Sequence, residues 1–254
     1  MTKLSLTLVQ CHLEWENPSA NRRHIQQLLG SVDNTDIIVL PELFTTAFSV
    51  TAPPESMSGD SVQWMKKLAK NSDALIIGSV IIQDQAHKYN RLLCVFPNGT
   101  IQYYDKRHLF KLIDESIHFK AGINRLIVNY KGWRICPLIC YDLRFPVFSR
   151  NRHDYDLLVY VANWPVSRIH HWTKLLDARA IENQSYVLGV NRVGEDDNGV
   201  VFNGKSRLVD ATGNLLFEGD HNEQVLTYQL DYQELMAIRK KHPFLNDADE
   251  FVIL

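Results

Sequence analysis

The sequence predicts a layered sandwich of the α/β or α+β class. Strand-like and helix-like runs alternate along the chain, and hairpin turns interrupt that alternation. A third observation sets the scale: 254 residues, 45% hydrophobic and 22% charged, suffice to bury a sizeable core without disulfides or metals. No internal repeat, low-complexity tract or Pro/Gly-rich linker divides the chain, so 1–254 reads as one domain.

The elements follow in order. Leu4–Gln10 alternates as a half-buried strand does, and Asn21–Leu29 has helical character. Ile37–Leu40 is a short apolar strand, Thr51–Gly59 a surface loop, Val62–Lys70 a helix. Ala74–Ile82 and Arg91–Phe96 are strands, and Asn98-Gly99 turns the second into a further strand through Tyr103. Arg134–Ile139 and Leu157–Ala162 are apolar strands. In His171–Glu182, Trp172, Leu175, Leu176, Arg179 and Ala180 recur at helical spacing. Tyr186–Asn191 is a strand, Glu195–Gly199 a loop, and Ser206–Asp210 a strand turned by Thr212-Gly213-Asn214. Strand Gln224–Leu230 and helix Gln233–Lys240 complete the pattern. Periodicity alone leaves the topology open.

Charge and composition exclude several functions. The formal net charge is -2 and the pI about 6.5, without the clustered basic footprint of a nucleic-acid binder. No basic block adjoins a long apolar run, so no membrane surface is indicated. The N-terminus lacks the continuous apolar core of a signal peptide, and no stretch is apolar enough to span a bilayer. Cys11, Cys94, Cys136 and Cys140 form neither a disulfide framework nor a zinc spacing. Free thiols predict a cytoplasmic protein.

Three apolar strands end in residues suited to chemistry. Arg134–Ile139 runs into Cys140, with a helix start expected at once. A thiol at a strand-to-helix corner would feel the positive helix end, which favours thiolate, and the Tyr141 N–H would be free for an oxyanion. A lone cysteine is usually a buried small hydrophobe, but the C-terminal end of a strand is where open α/β sheets bind ligands. Asp36–Pro41 ends in Glu42, which in an apolar setting can serve as a base. Tyr103-Tyr104-Asp105 ends in Lys106, suited to an oxyanion though more often surface charge.

Singly these signals are weak; together, in this order, they resemble the Glu–Lys–Cys triad of the nitrilase superfamily of carbon–nitrogen hydrolases. The flanks match as well: Leu40-Pro41-Glu42, then Asp105-Lys106 with His108-Leu109-Phe110, then Ile139 through Pro146. The likeness continues through Ala162–Pro165, Ala178–Asn183 and Val190-Asn191-Arg192. It implies an α+β fold, an α-β-β-α sandwich that pairs with a second subunit into a four-layer homodimer core. It implies amide, carbamoyl or nitrile hydrolysis with no cofactor and no metal, and Glu115 as a second glutamate holding Lys106. Within the superfamily the likeness points to the bacterial omega-amidases, which act on 2-oxo acid amides such as 2-oxoglutaramate. Lys205 departs from the pattern, standing where relatives often carry histidine.

The substrate is then a small amide with a carboxylate. Arg144 is the first choice to grip that carboxylate, because a guanidinium binds it bidentately; a structural ion pair is the alternative. Phe44, Phe48 and Trp164 are expected to line the pocket, although aromatic residues are more often core. His170-His171 has no ligand-spaced partner for a metal. Two rival readings stay open: an amidase acting on deaminated glutathione, and a non-catalytic binding protein on the same scaffold.

Overall fold

The structure, a computed structural model, describes residues 3–32 and 34–253. Its first half runs β1 (Lys3–Gln10), α1 (Pro18–Leu28), β2 (Ile37–Val39), α2 (Asp60–Ser72), β3 (Leu75–Asp84), β4 (His87–Val95), β5 (Ile101–Asp105) and α3 (Glu115–His118). There follow β6 (Val128–Tyr130), β7 (Trp133–Ile139), α4 (Pro146–Ser149), β8 (Leu157–Val161), α5 (Ile169–Asn183) and β9 (Tyr186–Val190). Last come β10 (Val193–Glu195), β11 (Val201–Asn203), β12 (Arg207–Val209), β13 (Leu215–Glu218), β14 (Gln224–Asp231) and α6 (Tyr232–Lys241).

Two 6-stranded sheets form the centre, in the orders β14-β1-β2-β3-β4-β5 and β13-β12-β9-β8-β7-β6. Each has a parallel middle, β1-β2-β3 or β7-β8-β9, and antiparallel flanks. The period of two sorts the layers. Leu4, Leu6, Leu8, Ile37, Val39, Leu75 and Ile77 join residues of the second sheet in one core. The residues between them, Ile38, Leu40 and Ile76, face the other way, onto Ile25 of α1 and Val62, Met65 and Leu68 of α2. On the far side α5 buries Trp172, Leu176 and Ala180. It approaches β9 closely because position 189 is glycine: a Cβ there would lie 2.5 Å from the Trp172 ring. The result is the α+β, α-β-β-α sandwich that the resemblance implies.

This topology gathers the strand ends. β2 and β3 are parallel, and β5 runs with β3 because each is antiparallel to β4. β2 and β5 therefore deliver Glu42 and Lys106 to one edge. In the facing sheet, parallel β7 and β8 deliver Cys140 and Asn163 to the same place. The helix expected after Cys140 is only a 3-10 turn, Cys140–Arg144, followed by the single turn of α4.

Candidate active site

Glu42, Lys106 and Glu115 form one buried ionic cluster. Lys106 Nζ donates to Glu42 Oε1 at 2.8 Å and to Glu115 Oε1 and Oε2 at 3.0 and 2.9 Å. All three ammonium protons are thereby used. Burial alone would push this ammonium down, but the carboxylates of Glu115 and Glu42, with Cys140, raise it above its ordinary value. Burial pushes the Glu115 carboxyl above its ordinary 4.5, Lys106 opposes that, and Glu42 adds to it.

Two asparagines absent from the sequence-based candidates complete the cluster. Asn90 of β4 donates through Nδ2 to Glu42 Oε1 at 2.9 Å and to Glu115 Oε1 at 3.3 Å. Asn163 donates its backbone N–H to Glu42 Oε2 at 3.0 Å, and its Nδ2 to the Glu42 carbonyl at 2.7 Å. Both Glu42 oxygens are thus fixed. Lys106 is fixed through its backbone, donating to the Asn90 carbonyl and accepting from Gly122. Glycine is required at 122, since a Cβ would lie 2.1 Å from the Asp105 carbonyl oxygen.

Cys140 closes β7 with φ 42, a left-handed conformation that non-glycine residues adopt at a cost. Asp142 holds this elbow. It is fully buried and accepts from the Ile139 N–H at 3.0 Å, the Tyr104 hydroxyl at 2.8 Å and the His108 N–H at 3.1 Å. His108 Nδ1 lies 2.7 Å from the same carboxylate, so the segment after Lys106 and the turn bearing Cys140 are locked together. Tyr141 is second in the turn, where backbone N–H groups have no intrahelical acceptor.

The expected preformed thiolate is corrected here. Burial, then the neighbouring Glu42 carboxylate by charge and hydrogen bonding, push the Cys140 thiol well above its ordinary value, against the pull of Lys106. A five-residue 3-10 turn supplies too little dipole to reverse this. These surroundings favour the thiol, with a carboxylate beside it. Cys11, Cys94 and Cys136 are buried and free, and burial pushes each of these thiols up, which disfavours the reactive thiolate.

Cys140, 8% exposed, lies in a cavity of about 420 Å³. Tyr141, Arg144, Phe48, Trp164, Arg168 and Phe110 line it, and Trp15, Asp196 and Phe202 contribute from loops and β11. Phe48 also sits 5.2 Å from Lys106 Nζ, ring face to cation. Arg144 stacks 4.8 Å from the Trp164 ring centre and joins no carboxylate among the described residues. Phe44 is not in the wall. It is fully buried in the core under α2, its ring 5.7 Å from that of Trp64, so it does not line the pocket as expected. Lys205 is also outside the wall, paired with Glu218 at 2.8 Å. Arg192, another cation of this region, is buried and donates to the carbonyls of Val193, Ala47 and Leu13.

A buried thiol, a carboxylate base and an ammonium at the strand ends form a constellation for covalent attack on a carbonyl. The model of the carbon–nitrogen hydrolase family matches residues 5–240. The chain belongs to that family. It is 49% identical to an Escherichia coli protein named omega-amidase YafV, over 99% of both chains. It is 33% identical to the 2-oxoglutaramate amidase of Bacillus subtilis, over 96% of this chain and 97% of the other. A CN-hydrolase superfamily protein of Xanthomonas campestris, crystallised with an arsenic adduct in its active site, superposes with TM-score 0.98 at 42% identity, each chain covered 100%. As a carbon–nitrogen hydrolase the chain acts on amides. Among the described residues no helix is long and apolar enough to cross a membrane.

Proposed function

We propose that this hydrolase is an omega-amidase: it converts 2-oxo acid amides such as 2-oxoglutaramate and 2-oxosuccinamate to the dicarboxylic 2-oxo acid and ammonia. The observation that carries the reading is a cavity lined by Cys140, with Glu42 and Lys106 buried just behind it, and Arg144, free of any carboxylate among the described residues, in its wall. The full-length likeness to proteins named omega-amidase and 2-oxoglutaramate amidase supports it.

The geometry suggests how the groups cooperate. Glu42 takes the thiol proton as the Cys140 sulfur attacks the amide carbonyl carbon. A neutral Glu42 holds Lys106 less tightly, which frees an ammonium proton for the new oxyanion just as it forms. The Tyr141 N–H is the second donor. Collapse breaks the C–N bond, the leaving nitrogen takes the proton from Glu42, and ammonia departs. A thioester remains on Cys140. Glu42 then accepts a proton from the attacking water, the acid leaves, and the thiolate is reprotonated. Glu115 keeps Lys106 in place throughout. Arg144 grips the substrate carboxylate, with Phe48 and Trp164 as walls.

We further read residues 1–254 as one domain working as a cytoplasmic homodimer without cofactor, a location that the four free cysteines suit. A second reading, deaminated glutathione as substrate, is favoured by one observation: about 420 Å³ is roomy for a five-carbon amide. Ammonia release across a panel of omega-amides and deaminated glutathione tests both. The proposal expects 2-oxoglutaramate to have the highest kcat/KM; preference for the tripeptide analogue overturns it.

A further inference from the structure

Arg144 is held from behind by a group that can itself titrate. Its Nη2 lies 3.1 Å from Nδ1 of His171, while the guanidinium stacks over Trp164. A guanidinium only donates, so His171 Nδ1 must carry a lone pair. The contact therefore fixes His171 as the neutral tautomer with its proton on Nε2. It joins the turn that bears the nucleophile to the first turn of α5, and Arg144 is half-buried, with no other polar partner among the described residues.

The surroundings of His171 are cationic. Some desolvation, then the charges of His170, Arg144 and Arg168, hold its imidazole below the ordinary 6.5. Its ring centre is 4.1 Å from that of His170, and Arg168 ends the 3-10 turn just before α5. The other charges along α5 are engaged elsewhere or face solvent. Arg179 pairs with Glu182, Asp177 with Arg207 of β12, and Lys174 is exposed.

We propose that His171 is a positioning residue for substrate selection: its neutral Nδ1 aims Arg144 at the substrate carboxylate, and protonating it releases that aim. The inference rests on the reading of Arg144 as the carboxylate clamp. Once protonated, Nδ1 offers a proton where Arg144 needs an acceptor, and two cations meet at contact distance. The guanidinium then swings on a flexible stem and loses the fixed fork that binds a carboxylate on two prongs. Acidification thus weakens substrate binding without touching Cys140, Glu42 or Lys106.

The test compares 2-oxoglutaramate with an aliphatic amide of the same length lacking the carboxylate, in full-length wild type, His171→Phe, His171→Asn and Arg144→Lys. His171→Phe removes the acceptor and should lower the ratio of the two kcat/KM values about tenfold, mainly by raising the KM for 2-oxoglutaramate. His171→Asn places an amide oxygen near the old Nδ1 and should restore the ratio to within about threefold of wild type. In wild type, the KM for 2-oxoglutaramate should rise as pH falls below 6.5, a step that His171→Asn should lack. A ratio unchanged in His171→Phe but lowered in Arg144→Lys overturns the role of His171 and leaves the clamp standing. Equal losses on both substrates in Arg144→Lys overturn the clamp itself, and this inference with it. A KM step that persists in His171→Asn overturns release by protonation. Should His171→Phe not fold, the pH profiles of wild type and His171→Asn decide alone.

Discussion

Behind the cavity, Glu42, Lys106 and Glu115 are sealed from solvent and each charge is bonded to another. At its wall, Arg144 and Arg168 are half-buried and stacked on the rings of Trp164 and Phe110, with no carboxylate partner among the described residues. The contrast fits the role proposed for each region. A group that moves protons needs a fixed position and a low-dielectric setting, so its charges are saturated in advance. A group that greets a charged substrate must keep its donors free until the substrate arrives, and half-exposure lowers the cost of leaving them so. The proposed chemistry thus draws on ions already paired, and the proposed recognition on cations that have no carboxylate partner among the described residues.

Removing a charge from each region should therefore give different signatures. Lys106→Met behind the cavity should have the largest effect, about 100- to 1000-fold in kcat for every substrate. It should also destabilise the protein by about 3–5 kcal/mol, because two carboxylates stay buried without their cation. That second loss depends on pH. Glu115 already titrates above 4.5, and without Lys106 its folded-state value must rise further. A raised carboxyl favours folding below the unfolded value and loses that advantage as pH rises through the folded value. Urea unfolding should thus show the variant losing most ground to wild type near neutral pH and least near pH 4.5. A constant deficit would mean the ion cluster is not the cause.

Arg144→Lys at the wall should act on one substrate class. For amides bearing the carboxylate, kcat/KM should fall about 100-fold, the value of one charge-assisted contact; carboxylate-free amides should change little. Unfolding should be nearly unaffected, since no buried ion loses a partner. The smallest effect on catalysis is expected from Phe44→Ala, which removes a ring from the core rather than from the site. It should cost about 3–5 kcal/mol of stability with only a small change in KM, and Phe48→Ala should show the reverse balance. If both phenylalanines changed KM alike, the separation of core from cavity would be misplaced.

The sequence made the long elements legible because each carries several periods of its pattern. The four helices expected over stated ranges form, within a few residues at their ends, and so do the ten expected strands. It missed β6, β10 and β11, which have three residues each, too short for any alternation to register. At the site, Glu42, Lys106, Glu115 and Cys140 were marked by motifs, and the structure brings them together. Asn90 was hidden because an asparagine inside a strand shows no sign of the carboxylates facing it from two other segments. Asp142 likewise has no local mark of its role, since it binds three segments at the elbow. The helix expected after Cys140 failed for a local reason: Pro146 cannot supply the N–H that would continue the turn. Glu195–Gly199 read as a surface loop, and Asp196 and Asn198 show it to be part of the cavity wall as well. Contacts made across the gap between sheets leave no local trace in a sequence.

The central claim is that the acyl group of the substrate passes through a thioester on Cys140. Rapid acid quench of enzyme turning over 2-oxoglutaramate, followed by intact-mass and peptide mass spectrometry, tests it most directly. The account predicts an adduct equal to substrate less ammonia, on the peptide carrying Cys140. It should be released by hydroxylamine and absent from a folded Cys140→Ala variant that has lost at least about 1000-fold in kcat. Turnover with no adduct at any quench time, an adduct on another residue, or Cys140→Ala retaining a few per cent of activity would contradict it.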